Sequence, residues 1–228
     1  MTRRVPRSME EHSPQRLAAL VRRIDRLAGD GDEWERRPVT RPLAYLAPTR
    51  HCKGVVYTTK FAPVMDALTA DGSSRLAIFG RYGLFDRAYA GCVAHVAKRA
   101  GRVVCFLGDL DPLDLTVFLT LREALASEKV AVRYCGVGDR WLEMCATVGR
   151  SSDGPAEIRM PLSDFEASHM RVLDTSGVDW DGVVGDQAMR LLRAGYKIEL
   201  EGAVNSEIYG DGLRNSAIQL IRRLGNRR

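Results

Sequence analysis

The stretch "RVVCFLGDLDPLDLTVFLTLREAL" (residues 102–125) decides how the chain is read. Val103, Val104, Cys105, Phe106 and Leu107 form an unbroken apolar run, the signature of a strand buried on both faces as in a parallel sheet. Gly108 lets the backbone turn and Pro112 ends the strand. Leu115, Val117, Phe118, Leu121 and Leu125 then recur at helical spacing. The segment therefore predicts strand, acidic loop, helix. Asp109 and Asp111 sit one residue apart at the strand's carboxyl end, with Asp114 close behind. Ligands of open α/β sheets collect at such ends, and carboxylates at i and i+2 can converge there on a hard cation such as Mg²⁺. The plainer role for Asp111 or Asp114 is to cap the helix and favour its positive end.

Outward from this stretch the pattern alternates. "KGVVYTT" (53–59), "RLAIFG" (75–80) and "VAVRYCGV" (130–137) predict further strands. "APVMDALTADG" (62–72), "LFDRAYAGCVAHVAKRAG" (84–101, closed by Gly101) and "LDLTVFLTLREALAS" (113–127) predict helices between them. Such alternation implies βαβ units and an α/β fold with a mainly parallel, Rossmann-like sheet flanked by helices. Beyond Val137 the pattern loosens. "RWLEMCATVG" (140–149) has helical character, "PLSDFEASHMRVLDTSG" (161–177) predicts a capped helix, and "DGVVGDQAMRLLRAGYKIELEGAV" (181–204) predicts a longer helix, a turn, and a strand or second helix. "GLRNSAIQLIRRL" (212–224) predicts a closing helix. At the other end, Ser13 and Pro14 begin a helix through about Leu27, and Gly29 to Arg41 reads as a linker. The domain division is thus a basic N-terminal tail, helix and linker over 1–41, and an α/β domain with C-terminal helical elements over 42–228.

The 228 residues are 45% hydrophobic, a globular value. No apolar run approaches the ~18 residues of a membrane span, and "MTRRVPRSMEEHSPQ" has no apolar stretch behind its basic residues, so it is not a secretory signal. A cytoplasmic protein is expected, with Cys92, Cys105, Cys135 and Cys145 as reduced core thiols. His51 and Cys52 are adjacent but no CxxC or HxxxH accompanies them, so a zinc site is not expected. The net charge of +5 is concentrated in arginines. The last stretch carries Arg214, Arg222, Arg223, Arg227 and Arg228 with no acid from residue 213 onward, and the N-terminal part is also arginine-rich, which suits a phosphate-backbone partner. Walker-type loops, GxGxxG and Gly-x-Ser-x-Gly elbows are absent from the sequence.

With Asp109 and Asp111 at a strand end, the chain resembles a Toprim domain of the branch found in the topoisomerase VI A subunit, the meiotic double-strand-break protein and the nuclease subunit of Wadjet plasmid-defence systems. "LGDLDPLDLTVFLTLRE" is similar to that branch's strand–Gly-Asp-x-Asp-Pro–helix segment. "GYKIELEGAV" (195–204) resembles its Glu-x-Glu element, and "FGRYGLFDRA" (79–88) its Phe-x-Arg-containing helix with the strand before it. The resemblance spans roughly residues 53 to 221. It implies a Mg²⁺ ion held by Asp109 and Asp111 with Glu199 and catalytic roles for Asp109, Asp111 and Glu201; the arginine-rich charge pattern adds expected DNA contacts from Arg81, Arg214, Arg222 and Arg223. Two departures stand out. The family's leading Glu at the end of its first strand is replaced by Gly80 or Tyr57, depending on which strand is first, and the Gly usual after Asp-Pro is Asp114. The tyrosine-bearing winged helix has no counterpart.

Three functional readings follow. The first is a Toprim-fold DNA-transaction protein that binds DNA and Mg²⁺, its nuclease activity weak, lost or dependent on a partner subunit or a homodimer. The second is a non-catalytic assembly subunit of a multi-protein defence or recombination complex. The third is a phosphatase-like α/β hydrolase of the haloacid dehalogenase kind, using Asp109 and Asp111, although Pro112 and Leu113 depart from that pattern.

Overall fold

A computed structural model describes residues 44–46, 52, 54–61, 64, 76–81, 87–143 and 158–205. Its centre is a five-stranded sheet built from β1 (Ala44–Leu46), β2 (Gly54–Thr58), β3 (Leu76–Gly80), β4 (Val103–Leu107) and β5 (Ala131–Tyr134), in the order β1-β3-β2-β4-β5. β2 to β5 run parallel, and β1 pairs antiparallel along the outer edge of β3. The chain steps from β2 outward to β3, then crosses back over β2 to β4. The winding direction reverses between β2 and β4, and in doubly wound sheets that reversal opens a crevice at the carboxyl ends of the two strands.

Why these strands hold together follows from their register. Tyr57, Phe79, Phe106 and Tyr134 lie opposite one another across β3, β2, β4 and β5, so their rings share one face. Tyr57 stacks on Phe106 with centroids 5.7 Å apart, and Phe106 on Tyr134 at 6.1 Å. Helix α1 (Arg87–Arg99) and helix α2 (Pro112–Ala126) cover this face. Tyr89 of α1 meets the rings of Tyr57 and Phe79 at 5.8 and 5.9 Å, and Phe118 of α2 meets those of Phe106 and Tyr134, each at 5.6 Å. Both crossovers run in the same direction across the sheet, so the right-handedness general to parallel connections puts both helices on one side. Each buried aromatic here is worth about 3–5 kcal/mol against truncation to Ala. Helix α1 ends where Gly101 takes φ +96°, as expected of that glycine, and Arg102 follows at φ +62°.

A second layer continues beyond α2. The strand β6 (Arg159–Pro161) leads into α3 (Asp164–Asp174), α4 (Trp180–Val183), α5 (Asp186–Arg193), β7 (Tyr196–Ile198) and α6 (Leu200–Asn205). Helix α3 has the expected cap in full: Ser163 accepts from the Glu166 N–H while the Glu166 carboxylate accepts from the Ser163 N–H. Trp180 places its ring 6.3 Å from Phe118 and donates its indole N–H to the Leu173 carbonyl at 3.0 Å.

The longer helix expected within 181–204 is broken at Gly185, which adopts φ +121°. There the Asp139 carboxylate, from the start of the helical segment that follows β5, occupies the space a Cβ would need. It accepts hydrogen bonds from the N–H groups of Gln187 and Ala188 at 3.1 and 2.7 Å, so α5 is capped by a residue far away in sequence. Strands β1 and β6 were not expected. They are three residues each and antiparallel, too short to leave a periodic trace.

The predicted helix over 13–27, the linker over 29–41 and the helix over 212–224 lie outside the described residues, as do most of 62–72 and 144–149. Cys52, Cys92, Cys105 and Cys135 are free thiols. Among the described residues no helix is long and apolar enough to cross a membrane.

Candidate metal centre

The acidic loop begins where β4 leaves the sheet. Gly108 and Gly136 allow it to pack backbone against backbone on the turn after β5: a Cβ on Gly136 would meet the Gly108 carbonyl, and one on Gly108 would meet the Asp114 carboxylate and the Phe106 ring. Val137 N–H donates to the Gly108 carbonyl at 3.3 Å. On the other side the loop is tied to β7 by an antiparallel bridge, with Leu110 N–H to the Ile198 carbonyl at 2.9 Å and the reverse bond at 3.2 Å. The loop is therefore clamped between two backbone partners, which fixes the direction of its carboxylates.

Asp109, Asp111 and Asp114 are all buried, and one carboxylate oxygen from each lies within 4.8 Å of the others. Asp111 is the N-cap of α2 and accepts from the Asp114 N–H at 2.7 Å. Asp114, in the first turn, accepts from the Asp109 N–H at 2.7 Å and from the Thr59 hydroxyl at 2.6 Å. Asp109 accepts from the Leu200 N–H at 2.8 Å through Oδ1, and its Oδ2 lies 3.3 Å from Lys60 Nζ. The capping role expected of Asp111 is thus real, and it coexists with convergence on one small volume.

Burial dominates the electrostatics. It raises the Asp109 carboxyl to about 6, helped by the Asp111 charge and opposed by Lys60 and the Leu200 N–H. Burial likewise holds Asp114 well above the ordinary range, reinforced by Asp111 and Asp109 and opposed by the Thr59 hydroxyl. Lys60 shows the reverse balance: burial alone would lower it, but Asp109 and then Glu201 raise it above the usual lysine value.

Of the two acids expected from the late Glu-x-Glu element, Glu201 pairs with Lys60 Nζ at 3.1 Å and Glu199 lies 3.4 Å from Lys197 Nζ. Both stand at the carboxyl edge of the sheet, but the carboxylates that converge are Asp109, Asp111 and Asp114. Lys197 is anchored by Glu166 at 2.8 Å and is raised chiefly by that partner against its burial, with Glu199 and Asp111 contributing. Six carboxyl groups therefore face two ammonium groups around this edge.

Neither position considered for the family's leading acid reaches the cluster. Tyr57 points into the aromatic face, and Gly80 lies on β3, one strand away from β4, where a side chain would collide with Phe61. The strand beside β4 is β2, and the residues it delivers are Thr59 and Lys60. Neither is among the expected site residues; their one local mark is a polar Thr-Thr-Lys run ending an apolar strand. Arg81 is half-buried and donates its N–H to the Thr58 carbonyl at 3.1 Å, while Arg214, Arg222 and Arg223 lie outside the described residues.

Three converging carboxylates suit a hard cation that takes oxygen ligands, and a carboxylate has about four lone-pair sites, so Asp114, whose Oδ2 accepts both of its hydrogen bonds, still offers Oδ1. The donor set fits a metal ion. Neither the protein-family models nor the curated proteins compared with this chain give a match.

Proposed function

We propose that this chain is a Toprim-like protein of DNA transactions that holds Mg²⁺ at Asp109 and Asp111 and engages the DNA backbone. The observation that carries this reading is the buried Asp109–Asp111–Asp114 group at the point where the sheet's winding reverses. So concentrated a negative edge would repel a phosphodiester unless a cation screened it. Bound there, Mg²⁺ would neutralise the carboxylates and polarise a phosphate oxygen. Asp109, Asp111 and Asp114 would hold the ion, Glu199 and Glu201 would stand at its rim, and Arg81, Arg214, Arg222 and Arg223 would contact the backbone. With Gly80 or Tyr57 where the resemblance would place the leading acid, nuclease activity would be weak, lost or completed by a partner subunit or second copy in the cytoplasm.

The Lys60–Asp109 ion pair favours a second reading, that of a non-catalytic assembly subunit whose acidic site is neutralised from within. Plasmid cleavage in Mg²⁺ or Mn²⁺, beside an Asp109→Ala/Asp111→Ala control, separates the two. Cutting that disappears in the control supports the first reading. DNA binding without cutting supports the second. Loss of neither metal binding nor cleavage in the control refutes the acidic site, and hydrolysis of a small aryl phosphate in place of DNA would move the assignment to a phosphatase.

A further inference from the structure

We propose that the Lys60 ammonium and a divalent cation are alternative occupants of Asp109, so that Lys60 sets whether the site carries a metal. This rests on the reading of the acidic group as a cation site and concerns its regulation.

Three observations meet at this side chain. Lys60 leaves β2 beside β4, with its N–H on the Thr58 hydroxyl at 3.0 Å, and its side chain is only 8% exposed. Its Nζ lies 3.3 Å from Asp109 Oδ2, the oxygen of that carboxylate that the Leu200 N–H, bound to Oδ1, leaves over for a cation. The same Nζ lies 3.1 Å from Glu201 Oε2, and Glu201 is 46% exposed. A divalent ion sits about 2.0–2.6 Å from each ligand oxygen. An ammonium group in contact with the same buried carboxylate then faces strong like-charge repulsion in a medium of low dielectric response. One of the two cations must leave. Glu201 gives Lys60 a place to go: a rotation of its flexible stem keeps the ion pair with Glu201 and exchanges Asp109 for solvent. Lysine suits this exchange because its ammonium is a compact point charge on a four-carbon stem.

The test is Mn²⁺ binding by the intact chain, read as free Mn²⁺ by electron paramagnetic resonance. Lys60→Met keeps the shape and removes the charge, and it should tighten Mn²⁺ binding by about tenfold or more. Lys60→Arg keeps the charge and should bind no more tightly than the original protein. A protein-only measurement needs no variant: labelling of Lys60 by an acylating reagent, followed by peptide mass, should accelerate severalfold when Mg²⁺ saturates the site. Equal Mn²⁺ affinity in all three proteins, or a Lys60 labelling rate indifferent to saturating Mg²⁺, overturns this proposal and leaves the metal site standing. Absence of Mn²⁺ binding in every protein, Lys60→Met included, overturns the metal reading itself and this proposal with it. Binding only in Lys60→Met supports the exchange and identifies a site silenced by its own lysine.

Discussion

Replacing Asp109 by Asn should stabilise the metal-free protein at neutral pH. The carboxyl is raised from an ordinary 3.8 to about 6, chiefly by burial and next by Asp111. At ~1.4 kcal/mol per unit, the shift corresponds to on the order of 3 kcal/mol. Between about pH 4 and pH 6 the folded state holds a proton that the unfolded state has released, so stability falls as pH rises through that window and the loss is complete above it. Asparagine cannot ionise, and its Oδ1 still accepts from the Leu200 N–H. The variant should therefore escape the fall and exceed the parent at pH 7 by about 1–3 kcal/mol, the lower end applying if Lys60 fares worse with Glu201 alone. For a chain of this size that is a rise of roughly 2–12 °C in Tm, taking ~2–4 °C per kcal/mol. Urea unfolding followed by Trp fluorescence in EDTA, at pH values from 4.5 to 7.5, reads both quantities. Asp114 is shifted in the same direction, so the informative quantity is the difference between parent and variant. A variant less stable than the parent at pH 7, or one with the parent's full pH slope, would refute the argument. A buried acid that costs stability is kept for what it does.

The remaining predictions concern the second layer. Glu166→Ala leaves Lys197 buried without its closest anion and removes half of the α3 capping box; a loss of about 3–5 kcal/mol is expected, measured by urea unfolding, and a Glu166→Leu/Lys197→Met double variant should recover most of it. Asp139→Ala strips the acceptor from two N–H groups at the start of α5. A cost of about 1–2 kcal/mol is expected, with faster amide exchange at Gln187 and Ala188 as the local readout.

Much of the sheet was legible because its strands are buried on both faces. Continuous apolar runs at 54–58, 76–80 and 103–107 have little other use in a chain that alternates with helices, and a cap was expected of Asp111 or Asp114, of which Asp111 supplies it. What stayed hidden was decided by distant partners. Nothing local marks Gly185 as a break, since the reason is Asp139 from another segment. The same holds for the cluster. Thr59 and Asp114 are 55 residues apart, and Lys60 and Glu201 are 141 apart. Asp114 looked like one more first-turn acid of a helix, and only the turn around Gly108 aims its carboxylate back at Asp109. The two glutamates were visible as a pair, but their assignment to separate lysines depends on the placement of β7 against Leu110.

The bridge between Leu110 and Ile198 also has a consequence for how the chain is made. Asp109 finds its Leu200 N–H partner 91 residues further along. During synthesis at ~5–20 residues per second, β2 to β5 and their two covering helices emerge first, while the acidic loop still lacks its later wall. At that rate several seconds separate the emergence of Asp109 from that of Leu200, so the wall that buries the carboxylates is supplied only by the late segment of the chain.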